Sequence, residues 1–272
     1  MLRIFCNNCG GKKLWKLGNG ECRCSHCRKD FRPYPVEGLR LTKRQWRQLV
    51  KLFLLGVNSP TLSTELRRSI ATVNKALRLV RLLMYKDVPQ RVFAGIVEVD
   101  ETYLGGQKKN KSKRQLTKEK LLFGKESKRG KGTTKQPVFG ILCRNGKVFA
   151  KLVDNTEAKD LIPIITKKVK PGARVCSDTW RAYTGLAAKG YVHRTVEHRA
   201  KEYVKGKNHI NGLEGFWGYL KRKLASKGGI RRKYLYLFLG EYVWRYNYKK
   251  LNLEQKVDRL LTKLYTNFGA KY

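Results

Sequence analysis

From residue 91 to residue 250, short apolar runs alternate with stretches whose apolar residues recur at helical spacing. Residues 91–99, 137–143, 147–153 and 174–178 read as strands, with a short fifth strand within 191–198. Asn145-Gly146 marks a hairpin between the second and third, because that pair accepts positive φ at both central turn positions. Residues 160–169 read as a helix broken by Pro171-Gly172, and another helix begins at Thr179. The aromatic run 234–248 also has helical spacing and is expected to pack under the sheet. Such alternation predicts an α/β layer structure rather than a bundle or a sandwich.

The 272 residues carry 61 Lys and Arg against 20 Asp and Glu, a net charge of +41. A field of that size repels itself unless a polyanion neutralises it, so nucleic acid is the first partner to consider. With 41% hydrophobic and 11% aromatic residues, the chain is too apolar for a solvated polycation. No apolar stretch is long enough to cross a membrane. The start, MLRIFCNNCG, lacks the apolar region of a signal peptide. The expectation is a cytoplasmic, nucleoid-associated protein, or a nuclear one if the host is eukaryotic.

Five of the seven cysteines lie within residues 6–27. Cys6-x2-Cys9 and Cys24-x2-Cys27 are paired knuckles, and fourteen residues separate them. Four thiolates on two tight turns suit a tetrahedral structural Zn2+, which replaces the core that so short a unit lacks. This predicts a zinc ribbon over residues 1–38. Free cysteines or a disulfide are the alternatives, and Cys22 competes with Cys24 as the ligand. Cys143 and Cys176, each alone in an apolar run, read as small core residues.

Residues 39–88 read as a helix-turn-helix module. Thr42-x-x-Gln45 has the form of a capping box. Trp46, Leu49, Val50, Phe53 and Leu54 follow at helical spacing, and Gly56 and Ser59-Pro60 end one helix and start the next. The third helix carries Lys75, Arg78 and Arg81, placed to hold DNA phosphates. A linker bundle is the alternative.

The remaining residues, 89–272, read as the core. Glu98 and Asp100 share one face of a strand and Glu101 takes the other. Asp100 is expected at the strand's end, before Gly105-Gly106. Asp178 closes the fourth strand, and 35 residues separate it from Glu214. Glu214 and Lys221 lie seven positions apart, about 700° of helix, so they share a face. Asn211 lies near that face, and Leu213, Phe216, Trp217 and Leu220 form the buried one. Residues 107–136 hold twelve Lys or Arg against two Glu and read as a flexible basic loop, a DNA clamp using Lys108, Lys109, Lys111, Lys113, Arg114, Lys128 and Arg129. Taken singly, Asp178 reads equally as a helix cap and Glu214 as a partner for Lys221.

The runs VEVDETYLGG, PVFGIL, CSDTWRAY, HINGLEGFWGYLKRKL and YLYLFLGEYVWRYNY together resemble a DDE-type insertion-sequence transposase. The likeness is to the bacterial branch related to Merlin elements, and it covers about residues 90–250. It implies a ribonuclease-H-like mixed sheet with flanking helices, behind a zinc ribbon and a helix-turn-helix. It makes Asp100, Asp178 and Glu214 the catalytic acids and Lys221 the phosphate-binding helper. His209 and Asn211 match the branch's H-x-N, and Arg222 joins Lys221 on DNA. The loop 107–136 is longer than is usual in that branch. The implied cofactors are two Mg2+ (or Mn2+) per site, with Asp100 bridging both and Asp178 and Glu214 completing one each. The implied chemistry is water attack that would free a 3′-OH at the element's end, followed by attack of that 3′-OH on target DNA.

The implied partners are the terminal inverted repeats and target DNA, with at least a homodimer on the DNA. The rivals are a non-catalytic DNA-binding regulator and a ribonuclease-H-like nuclease or resolvase that cuts without joining.

Overall fold

The computed structural model describes residues 6, 8–18, 21–31, 34, 36, 38–87, 93–106, 111–123, 134–144, 146–178, 181–196 and 210–268. These form two compact units, residues 1–86 with 248–272, and residues 87–247.

In the first unit, strands β1 (Leu14–Lys16), β2 (Cys22–Cys24) and β3 (Asp30–Phe31) make a small antiparallel sheet in that order. Helices α1 (Lys43–Leu54), α2 (Ser59–Leu66) and α3 (Ile70–Lys86) follow. The capping box is present: Gln45 N–H donates to Thr42 Oγ1 at 3.2 Å, and Thr42 N–H donates to Gln45 Oε1 at 3.1 Å. Trp46, Leu49, Val50 and Phe53 are buried, as their spacing predicts.

Helix α8 (Leu253–Phe268) packs on α1 and α3, burying Val257, Leu260, Leu261 and Leu264. Arg47 pairs with Asp258 at 2.7 Å and with Glu254 at 2.8 Å, and Lys51 with Glu254 at 2.8 Å. The sequence reading gave residues 248–272 to the core, whereas the structure groups them with the N-terminal unit. Periodicity shows that a helix has an apolar face but not what covers it.

The second unit is built on a five-stranded mixed sheet in the order β6-β5-β4-β7-β8. Its strands are β4 (Ile96–Leu104), β5 (Gln136–Cys143), β6 (Lys147–Leu152), β7 (Arg174–Asp178) and β8 (Val192–Val196). β4, β5 and β6 pair antiparallel, while β7 and β8 continue from β4 in parallel. Strand β4 does not end at Asp100. It stays paired to β5 as far as Leu104↔Gln136, so the first acid lies within the strand. The basic insertion is not one continuous loop, because residues 113–123 form helix α4 (Lys113–Phe123). That segment is built mostly from Lys, Arg, Gln, Glu and Leu, all good helix formers.

Each face of the sheet carries its own apolar layer. On one, Val97, Val99, Ile141 and Val175 meet Leu161 and Ile165 of α5 (Ala158–Lys168) and Tyr183 and Leu186 of a 3-10 helix (Arg181–Lys189). On the other, Val138, Leu142 and Val148 meet α6 (Asn211–Ala225) and α7 (Leu235–Asn247) through Leu213, Phe216, Trp217, Leu239 and Val243. Trp217 lies so close to β5 that a Cβ on Gly140 would come within 2.5 Å of its ring, so only glycine fits there. At the sheet edge, Asn247 accepts from Val148 N–H at 2.7 Å and donates to Val148 C=O at 2.8 Å. The aromatic helix thus also caps backbone groups that an edge strand would leave open.

Candidate active site

The register of the parallel pair brings the first two acids together. The last paired positions of β4 and β7 are Glu98↔Cys176. Asp100 and Asp178 each lie two residues further on, so they stand side by side on one face at the carboxyl end of β7. Neighbouring strands are about 4.8 Å apart. Side chains alternate, so that face is the one α6 covers: Trp217 Nε1–H donates to Asp100 Oδ2 at 3.0 Å.

Helix α6 supplies the third acid. Leu213, Phe216, Trp217 and Leu220 are buried, whereas Asn211, Glu214, Lys221 and Arg222 are exposed. The helix therefore splits as its spacing predicts. His209 lies outside the described residues, as do Thr179 and Trp180 after Asp178.

Burial pushes the Asp100 carboxyl up to about 7, and the charges of Asp178 and Glu214 add to the rise. The Glu101 N–H and Trp217 oppose it. Asp178 and Glu214 thus both act on Asp100. Among the described residues, four thiols have ligand atoms that all lie within 4.8 Å of one another.

A second network lies on the opposite face. Buried Tyr183 donates its hydroxyl to Glu101 Oε1. Glu101 is pushed up to about 8, first by burial, with Asp100 and Asp178 contributing. Ser177, fully buried beside Asp178, is 2.9 Å from His193 Nε2. The sequence gave no sign that Tyr183, which lies 82 residues from Glu101, would meet it.

The four thiols are Cys6, Cys9, Cys24 and Cys27. Cys6 and Cys27 Sγ are 3.4 Å apart, and Cys9 and Cys24 Sγ are 3.5 Å apart. Asn8 N–H donates to Cys6 Sγ and His26 N–H to Cys24 Sγ, each at 3.4 Å, the geometry of tight knuckle turns. Cys27 is pulled down to about 6, first by the Lys29 N–H. Four soft donors at these separations fit a tetrahedral thiolate site. Cys22 is buried on β2 outside the cluster.

Of the expected DNA contacts, Lys75 donates to Gly38 C=O at 3.3 Å, Arg81 stacks over the Phe53 ring at 5.1 Å, and Arg78 is exposed on α3. Lys113 and Arg114 are exposed on α4, and Lys111 is half-buried just before it. Lys108, Lys109, Lys128 and Arg129 lie outside the described residues. The sequence reading missed a cleft of about 500 Å3 at the start of α3, lined by Arg40, Arg67, Arg68, Ser69, Thr72 and Lys75. Arg67 adopts a left-handed backbone there, with φ 49°.

The raised Asp100 carboxyl has a stability consequence in metal-free protein. The folded state holds that proton above the pH at which an unfolded aspartate loses it, so this group's contribution falls between about pH 4 and pH 8. Asp100→Asn is expected to raise the melting temperature by about 4 °C at pH 8 and by less than about 1 °C at pH 4. Differential scanning calorimetry in chelator measures both.

Residues 92–247 match the ISXO2-like transposase domain. An uncharacterized transposase-like protein of Haemophilus influenzae is 33% identical over 117 residues, 43% of this chain and 94% of that protein. An uncharacterized protein in the transposable element ISH50 of Halobacterium salinarum is 25% identical over 250 residues, 87% of this chain and 83% of that one. Among solved structures, a pre-cleavage Mos1 transpososome aligns at 10% identity over 83% of this chain and 80% of that one, with a TM-score of 0.26. Since the domain match spans more than half of its length, from β4 through α7, the chain belongs to the ISXO2-like transposase family.

Proposed function

We propose that this transposase binds the terminal inverted repeats of its element and cuts and joins DNA at Asp100, Asp178 and Glu214. The observation that carries this is the register of β4 and β7, which sets two carboxylates side by side at strand positions that α6 completes with a third. The mixed five-stranded sheet with helices on both faces supports a ribonuclease-H-like core.

The donor set is all carboxylate, and the charges of Asp178 and Glu214 raise the proton affinity of Asp100. Carboxylates in that state suit Mg2+ or Mn2+. When bound, the ions supply charge stabilisation for the attacking and leaving oxygens of an in-line displacement. The chain's own groups do the rest. Trp217 fixes Asp100, Lys221 lies on the same helix face as Glu214 to meet a phosphate, and Asn211 borders the site. Arg40, Arg67, Arg68 and Lys75 offer a phosphate cleft in the N-terminal unit. The four thiols hold a structural Zn2+, and at least two copies synapse the two ends. Among the described residues no helix is long and apolar enough to cross a membrane.

The test is cleavage of duplex DNA carrying the repeats that flank the gene, with Mn2+ or Mg2+. Nicks at the repeat ends and joined products are expected. Asp100→Asn and Asp178→Asn should each lose at least about 100-fold in rate without losing end binding. End binding without cleavage in either metal would leave a DNA-binding regulator instead. Cleavage without joining would leave a nuclease.

The thiol cluster has its own test, metal content by atomic absorption. The expectation is one Zn2+ per chain, lost in Cys24→Ser and retained in Cys22→Ser.

A further inference from the structure

We propose that Glu98 is a positioning residue, a long-range cap that holds the start of α6, and with it Glu214, against strand β4. The proposal rests on the cleavage reading above. Glu98 lies two residues before Asp100 on the same face of β4 and is 1% exposed. Its Oε2 accepts the backbone N–H of Leu213 at 2.9 Å, in a buried bond spanning 115 residues of chain. The first turn of a helix has N–H groups without intrahelical partners, and a nearby side chain usually meets one of them. Ile210, at the cap position of α6, makes no side-chain cap bond. The Leu213 N–H also meets the Ile210 C=O at 3.0 Å, so Glu98, from the strand, takes the second share of a bifurcated bond at the helix start. Arg144 Nε lies 3.4 Å from the other carboxylate oxygen.

Gly212 permits the approach. A Cβ there would come 2.9 Å from Glu98 Oε2, 3.3 Å from Oε1 and 3.2 Å from Leu142 Cδ2. A side chain there displaces the Glu98 carboxylate from its bond or moves the helix start. One helical turn further along, Trp217 donates to Asp100. Two residues on one strand face are thus bonded to two positions one turn apart on α6. Two such bonds fix both the position and the rotation of the helix, where one would leave it free to swing. Glu214 directly follows Leu213, so a shift at the first bond displaces the third acid. Glu98 acts through α6 and is not assigned as a metal ligand.

The experiment compares Glu98→Ala, Glu98→Gln and wild type in Mn2+-dependent cleavage of the repeat-end DNA. Hydrogen exchange of α6 is followed in parallel on the full chain. Glutamine keeps an oxygen that accepts the Leu213 N–H, whereas alanine does not. Glu98→Ala is expected to cut about 10-fold or more slower at saturating DNA and to need more Mn2+ for half-maximal rate, with end binding unchanged. Its first-turn α6 amides should exchange faster. Glu98→Gln should stay within about 3-fold of wild type with those amides protected. If Glu98→Ala fails to fold, Gly212→Ala, which keeps the charge and blocks the approach, should show the same losses.

A wild-type rate for Glu98→Ala overturns the proposal. So does a Glu98→Gln variant as slow as alanine with its helix still protected, since the charge itself would then matter. If wild type does not cut, the cleavage reading falls and exchange alone decides. Loss of protection in Glu98→Ala upholds the tether, and unchanged protection overturns it.

Discussion

Two hydrogen bonds join helix α6 to strand β4, and the arrangement of the acids depends on them. One runs from the Trp217 indole to Asp100 and the other from the Leu213 backbone to Glu98. Both acceptors are carboxylates on a strand flanked by β5 and β7 and covered on either face. Burying a carboxylate is costly unless it is hydrogen-bonded, and each of these two has found a donor on the same helix. The apolar side of α6 supplies the holding force through Leu213, Phe216, Trp217 and Leu220. The glycines at 140 and 212 let the helix come close enough for the bonds to form.

The same geometry makes the site electrostatically unfinished. Asp100 and Glu101 lie back to back on one strand, one facing α6 and the other facing Tyr183, and both are pushed toward the protonated form. Trp217 and Tyr183 each lower one of these acids but neither carries a positive charge. In a chain with 61 Lys and Arg, acids held this way near one another are conspicuous. The proposed divalent cation would relieve this conflict directly. Buried carboxylates perturbed in this way also mark a functional site on physical grounds alone.

Much of this was legible in the sequence where local rules govern. The Thr42–Gln45 capping box, the strand 174–178 and the two-sided character of α6 follow from spacing, and the structure agrees on each. The two cysteine knuckles converge although fourteen residues separate them, because β1 and β2 pair in the stretch between them. What was missed depends on tertiary pairing. β4 runs past Asp100 because β5 pairs with it, and no local signal marks that extension. Helix α4 sits in a segment whose charge suggested a loop, although its residues favour helix. The cover for α8, the Tyr183 partner of Glu101 and the Glu98 cap of α6 join residues far apart in the chain.

The central claim is that Asp100, Asp178 and Glu214 together hold divalent metal. Iron-mediated backbone cleavage tests it most directly. Fe2+ is loaded in place of Mg2+ on the protein bound to DNA ends, ascorbate and peroxide are added, and the cut positions in the chain are mapped. The account predicts cuts clustered near residues 100, 178 and 214, suppressed by excess Mg2+ and absent in Asp100→Asn. Cuts confined to the Cys6–Cys27 region, or a core pattern unchanged by Asp100→Asn, would contradict it.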